Sequence, residues 1–230
     1  EFGSLVSVPE IGDDVVYYRA ILDGADLFTT TSLSSEDMKR NEYYKSNQKR
    51  EQFLSTFKNY DEYLKSLKMK AEIAPYKNIY LSRISQLTNK TNQFNLNGKR
   101  FTLQKWVSLK EQADRFLLSF EYNDKFGALG RISVLSGVIV QGQLVVDVWV
   151  MSCRAFSRDI EYFILSELFA HFEVDEICFE FLDTIKNAPL KTFLLTHTIP
   201  EPIGDRIVIA ADDFVLNCPD LHHTSTKKLN

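Results

Sequence analysis

Residues 147–161 read DVWVMSCRAFSRDIE. An apolar strand runs directly into a loop carrying Cys153, Arg154, Ser157, Arg158 and Asp159. Beyond the loop, Ile160, Phe163, Ile164, Leu168 and Phe169 recur at helical spacing. A strand feeding an amphipathic helix through one short turn points to a mixed α/β fold. The start of such a helix leaves backbone N–H groups unpaired and carries a partial positive charge. The turn can therefore hold a pyrophosphate, with Arg154 and Arg158 adding charge-assisted bonds. Read as ordinary structure instead, Ser157 or Asp159 caps the helix and both arginines are solvated.

The pattern extends outward in both directions. Stretches 131–140 and 143–152 form a hairpin around the turn pair Gln141-Gly142, with another strand at 115–122. Met69, Ala71 and Ile73 alternate with charged residues as a short strand that Pro75 ends. Tyr80, Leu81, Ile84 and Leu87 mark a helix, and Thr102 opens another with Leu103, Trp106, Val107 and Leu109. Downstream come a strand at 176–181, a helix at 187–195 and a strand at 206–210. The stretch 13–67 reads as helical, with one helix from Asp13 and Asp14 to Gly24. A second opens at Ser34, whose spacing to Asp37 is that of a capping box, and continues to Tyr60. The expected fold class is α/β (α+β): a mixed, mostly antiparallel sheet flanked by helices and preceded by an N-terminal helical linker.

Composition narrows the functions. In 230 residues, 44% hydrophobic and 25% charged content excludes a wholly disordered chain. A formal charge of -4 supplies no global basic field, so nucleic acid is not an expected partner. The three cysteines, Cys153, Cys178 and Cys218, are too sparse for a disulfide framework or a CxxC metal site. They suggest a reducing, cytoplasmic setting. No apolar run reaches the roughly 18 residues that span a membrane. Residues 1–4 read as a cloning scar.

Strand alternation puts Asp147, Trp149, Met151 and Cys153 on one face. Asp147, polar in an apolar strand, is a candidate general base or substrate anchor; read as ordinary structure, it holds an edge or strand-start position facing water. Cys153 has no adjoining histidine and reads as a small core residue rather than a nucleophile. Residues 83–98 are rich in amides. Asn92, Gln93 and Asn95 could recognise a polar ligand such as a pantetheine arm, or could close the helix and its loop. His171 and His197 read as structural, and His222-His223 as part of a polar tail without metal.

Two of these stretches carry a resemblance. RISQLTNKTNQFNL at 83–96 and WVMSCRAFSRDIE at 149–161 resemble the C-terminal part of FkbH-like proteins, and VPEIGDDVVYYRAIL at 8–22 and KMKAEIAP at 68–75 also fit. That family joins a haloacid-dehalogenase-like phosphatase domain to a domain resembling GNAT acyltransferases. The resemblance implies that 5–67 is a helical tail and linker of an upstream phosphatase-like domain, and that 68–230 is the GNAT-like domain. No phosphatase nucleophile motif lies in this chain. The implied activity is handling of an acyl thioester, a glyceryl one in the best-known members, on an acyl carrier protein or CoA; the alternative is a non-catalytic carrier-protein docking or scaffold domain that serves the phosphatase-like domain. In GNAT proteins a turn of form (R/Q)xxGx(G/A) binds the CoA pyrophosphate. Arg154 matches its first position, while Ser157 and Asp159 replace both glycines. The resemblance further implies that Met151 and Cys153 pair through their backbones with pantetheine amides, that Arg158 assists the phosphate, and that Asp147 lines the acceptor side.

Overall fold

A computed structural model describes residues 11–12, 14–24, 40–75, 77–198 and 204–227. The chain divides into two compact units, 1–45 and 46–230. In the first, the Asp14 side chain accepts from Val16 N and starts a 3-10 turn, Val15–Tyr17. The turn runs into helix α1 (Tyr18–Gly24), as the 13–24 pattern predicts. The Ser34…Asp37 pair lies outside the described residues. Helix α2 (Arg40–Leu54) follows. The single helix expected up to Tyr60 breaks after Leu54. Asn59 takes an extended backbone, and its side chain accepts from Asp61 N to open α3 (Tyr60–Ser66).

The second unit is built on a sheet in the order β6-β5-β4-β3-β2-β1-β7. Its strands are β1 (Lys70–Pro75), β2 (Arg115–Asp124), β3 (Gly127–Val140), β4 (Gln143–Met151), β5 (Glu176–Glu180), β6 (Arg206–Ala210) and β7 (Thr224–Lys227). Only the β4–β5 and β1–β7 neighbours run parallel. The architecture is therefore the mixed, mostly antiparallel sheet with flanking helices that the sequence implies. Helices α4 (Leu81–Lys90) and α5 (Leu103–Lys110) bury Ile84, Leu87, Trp106 and Leu109 against Leu117, Val134, Val148 and Val150 on one face. On the other face, α6 (Ile160–Phe172) sets Phe172 against Phe116, and α7 (Ala188–Thr196) sets Phe193 against Trp149. Among the described residues no helix is long and apolar enough to cross a membrane.

Two elements escape the periodicity. Helix α8 (Ala211–Asn217) buries Phe214, and the polar run Thr224–Lys227 pairs with β1. The expected polar tail is thus drawn back onto the sheet, and His223 lies inside, beside the Phe163 and Tyr122 rings. Thr-Ser-Thr-Lys has no apolar alternation to announce a strand. Its pairing comes from the exposed edge of β1, whose backbone groups need partners.

Candidate functional site

Strands β4 and β5 pair at Leu144↔Ile177, Val145↔Cys178 and Val146↔Phe179, and then part. Parting parallel strands leave a wedge whose walls are unpaired backbone. Here residues 94–97 fill it. Asn95 bridges Val150 in antiparallel fashion. Leu96 N donates to Trp149 O at 2.9 Å, and Met151 N donates to Phe94 O at 2.9 Å. On the far side Leu182 N donates to Leu96 O at 3.2 Å. The segment therefore acts as a short extra strand between the two walls.

Side chains seal it there. Phe94 and Leu96 are buried, and the Phe94 ring meets those of Trp149, Phe156 and Phe193. Asn95 Oδ1 accepts from Gly98 N at 2.9 Å, and Asn97 Nδ2 donates to Asp147 O at 2.8 Å. Asn187 is fully buried. Its Nδ2 donates to Asn95 O and Leu182 O, each at 3.0 Å, and its Oδ1 accepts from Thr184 N at 2.8 Å. Of the three candidate amides, Asn95 is thus spent within its own loop, Asn92 accepts from Arg100, and Gln93 lies exposed. Asn187 carried no sequence signal, because its role depends on a loop some ninety residues away in the chain.

Asp147 departs from simple alternation. The β3–β4 register shifts between Ser136↔Val148 and Gly137↔Val146, which leaves Asp147 as the extra residue of a bulge. Its carboxylate meets Arg115 Nη1 at 2.7 Å, and the same nitrogen donates to Ser136 Oγ at 2.7 Å. It is therefore turned toward the Val134–Ser136 side rather than aligned with Trp149 and Met151. Gly137 is what allows the strands to close: a Cβ there would lie 2.0 Å from Val145 O. The candidate base is held in an ion pair by a guanidinium that itself is anchored to Gln112.

The turn before α6 keeps the backbone shape that glycines would give it. Ser157 (φ 61) and Asp159 (φ 53) both adopt the left-handed conformation. Asp159 makes no capping bond to the helix, so neither residue acts as the expected side-chain cap. Cys153 is exposed rather than a core residue, and Arg154 is half-buried in the Cys153–Ala155 3-10 turn. The Arg158 side chain is turned inward. It is 5% exposed and donates to Arg154 O at 2.6 Å, Phe156 O at 2.9 Å and Asn47 Oδ1 at 3.3 Å. Tyr60 Oη donates to Ser157 O at 2.5 Å, and His222 Nε2 contacts Asp61 Oδ1 at 2.6 Å. Burial raises the Asp159 carboxyl; His222 counters this and Asp61 adds to it. Burial pushes Glu161 up to about 7, against its own backbone N–H and with help from Asp159.

Two backbone donors of the stretch expected to meet a pantetheine arm already have partners within the chain. The Met151 N–H is bonded to Phe94 O, and Ser152 N donates to Ile132 O at 2.7 Å. The helix start that would face a pyrophosphate carries Asp159 and Glu161, and the Arg158 guanidinium is engaged by Arg154 O, Phe156 O and Asn47 Oδ1. Among the described residues no group of three or more His, Cys, Asp or Glu could hold a metal ion.

No protein-family model and no curated protein matches the chain. Solved structures do. The ribosomal-protein-S18-alanine N-acetyltransferase from Escherichia coli is similar over 61% of this chain and 92% of its own, at 10% identity and a TM-score of 0.42. Spermidine N-acetyltransferase from Vibrio cholerae, in complex with CoA and spermine, is similar over 64% and 98%, at 12% identity and a TM-score of 0.42. Aminoglycoside acetyltransferase AAC(6')-Ib, in complex with coenzyme A, is similar over 64% and 98%, at 10% identity and a TM-score of 0.47. The likeness is one of sheet-and-helix arrangement with acetyltransferases, and it carries no argument about substrate or activity.

Proposed function

We propose that the sheet-bearing unit is a non-catalytic, GNAT-like docking domain that receives an acyl carrier protein and leaves the carrier's arm to a partner domain. The observation that carries the reading is the filled wedge: residues 94–97 occupy the backbone sites that an extended amide-bearing arm would use on β4. Two further observations support it. Asp147 is engaged by Arg115, and acidic groups stand at the start of α6 in place of a glycine turn. The resemblance of 83–96 and 149–161 to FkbH-like proteins supplies the carrier as partner and a phosphatase-like domain as the recipient of the arm. One observation favours the transferase reading instead, the retained left-handed turn at Ser157 and Asp159.

Calorimetric titration with apo- and phosphopantetheinylated carrier protein separates the two. The docking reading expects equal affinity for both forms, because recognition is of the protein body. Binding of the arm-bearing form alone would favour transfer.

A further inference from the structure

Residues 76–110 contain Lys77, Arg83, Lys90, Lys99, Arg100, Lys105 and Lys110 and no Asp or Glu. The rest of the chain carries twenty Lys and Arg against 31 Asp and Glu, a net charge of -11. An acidic protein thus carries a net positive stretch over α4, α5 and the segments that lead into them.

The fold gathers this stretch onto one surface. Helices α4 and α5 share the same buried cluster beneath them. Asn89 Nδ2 donates to Phe101 O at 2.8 Å, Arg100 donates to Thr88 O and Thr91 O, and Lys110 Nζ donates to Asn78 Oδ1 at 2.9 Å. Helix α5 turns only Trp106 and Leu109 fully inward. Its outer side shows Leu103 (50% exposed) and Val107 (40%), one turn apart, with Lys110 next in line. Ile79, at 81% exposure, adjoins the Asn78 that Lys110 bonds. Lys77, Lys99 and Arg100 are exposed in the segments that lead into the two helices, and Lys110 follows Val107 one turn on, while Lys105 is exposed on the other flank of α5. Among the described residues no carboxylate pairs with Lys77, Arg100 or Lys105, and Lys99 reaches Glu180 only at 3.9 Å.

An apolar centre with a cationic rim is the arrangement of a protein interface, in which the rim steers the encounter and the centre supplies burial. We infer that the α4–α5 surface is a docking site for an acidic protein, one that presents carboxylates around an apolar contact. Aliphatic rather than aromatic side chains at the centre favour protein over single-stranded nucleic acid, which needs stacking platforms. This inference rests on the docking reading for its named occupant, the carrier protein. The surface also borders the wedge-filling segment, since Lys99 and Arg100 follow Asn97 and Gly98 directly.

The test measures binding of the carrier protein and of poly-L-glutamate to the full chain, to Lys77→Glu/Lys110→Glu and to Leu103→Ser/Val107→Ser. All four positions are exposed, so the variants are expected to fold; circular dichroism checks this. Each double variant is expected to weaken carrier binding by roughly tenfold or more, and raising salt from about 0.05 to 0.5 M by a similar factor. Poly-L-glutamate binding is expected to fall with the charge variant only. Unchanged carrier binding by both variants would overturn the surface assignment and leave the docking reading standing. Poly-L-glutamate binding lost in the charge variant, with no carrier binding to any form, would keep the surface and overturn the carrier. Binding of neither probe overturns both, and an RNA oligonucleotide bound more tightly than either would overturn the assignment to a protein partner.

Discussion

Met151 donates its backbone N–H to Phe94 O at 2.9 Å, which places the chain's own loop along the edge that β4 turns toward β5. The bond is one of a pair, with Leu96 N to Trp149 O, that frames the Asn95↔Val150 bridge. The two bonds form the widely spaced pair around a non-hydrogen-bonded residue couple of an antiparallel ladder, and amides held in such a ladder exchange slowly while it stays closed. Hydrogen exchange should therefore find the Met151 and Leu96 amides among the slow ones, exchanging with the β3 and β4 amides rather than with loop residues. Fast exchange at both would mean that the segment leaves the wedge readily.

Asn187→Ala tests the seal. Removal of this buried amide leaves Asn95 O, Leu182 O and Thr184 N each short of a partner. Unmet buried groups of this kind cost about 1–3 kcal/mol each before relaxation, so a net loss of about 2–4 kcal/mol is expected. Urea unfolding measures it. A change below about 0.5 kcal/mol would show that water replaces the amide and that the wedge is loosely held.

The Asp147–Arg115 pair has a different test. Both side chains are mostly buried, so Asp147→Asn strands a guanidinium and should cost about 1–3 kcal/mol. The cost should shrink when Arg115→Gln is also present, and a double-mutant cycle reads this coupling. Additive effects would deny the ion pair and reopen Asp147 to a chemical role.

Asp159→Gly should stabilise the domain by about 1 kcal/mol. The left-handed backbone costs a non-glycine residue about that much. The substitution also removes a carboxyl that burial and Asp61 disfavour. Thermal unfolding of the variant checks the sign. A destabilised Asp159→Gly would indicate that the carboxylate holds a partner, His222 being the nearest candidate.

Stability should respond to pH through two buried groups of opposite sign. Glu161 is raised to about 7 from 4.5, so the folded state holds its proton and the contribution is present below pH 4.5 and lost as pH rises through 7. Its full size is about 3 kcal/mol. His223 is lowered by burial to about 4 from 6.5, so its contribution is present above pH 6.5 and lost as pH falls through 4. The two oppose each other between pH 4.5 and 6.5. Glu161→Gln should therefore unmask a rise in stability from pH 4 to 6.5 that the parent protein hides. Parallel pH profiles for the two proteins would contradict the assignment to Glu161.

Much of the sheet was legible because its strands alternate or run apolar. The Gln141-Gly142 turn announces the β3–β4 hairpin, and Thr102 does open α5. The site was less legible. Ser157 and Asp159 are recognisable as occupants of glycine positions, but the left-handed backbone they adopt is imposed by the surrounding turn. The bulge at Asp147 depends on Gly137 in the neighbouring strand, which no period-2 reading of β4 can see. The amides of 92–97 can be read as ligand contacts or as helix and loop closure, because an Asn side chain offers the same groups to either. The buried Asn187, which bonds Asn95 O from the start of α7, is a partner that no reading of 92–97 alone could supply. The positive stretch 76–110 was visible in the letters but hidden by the net charge of the whole chain.

On the docking reading, residues 94–97 take the place of an acyl-carrying arm along β4. Calorimetric titration of the protein with CoA and with acetyl-CoA tests it most directly. No binding of either is expected at millimolar concentration in the parent protein. Micromolar binding of CoA, with the Met151 and Leu96 amides shifting in NMR spectra on its addition, would contradict it and restore the transferase reading.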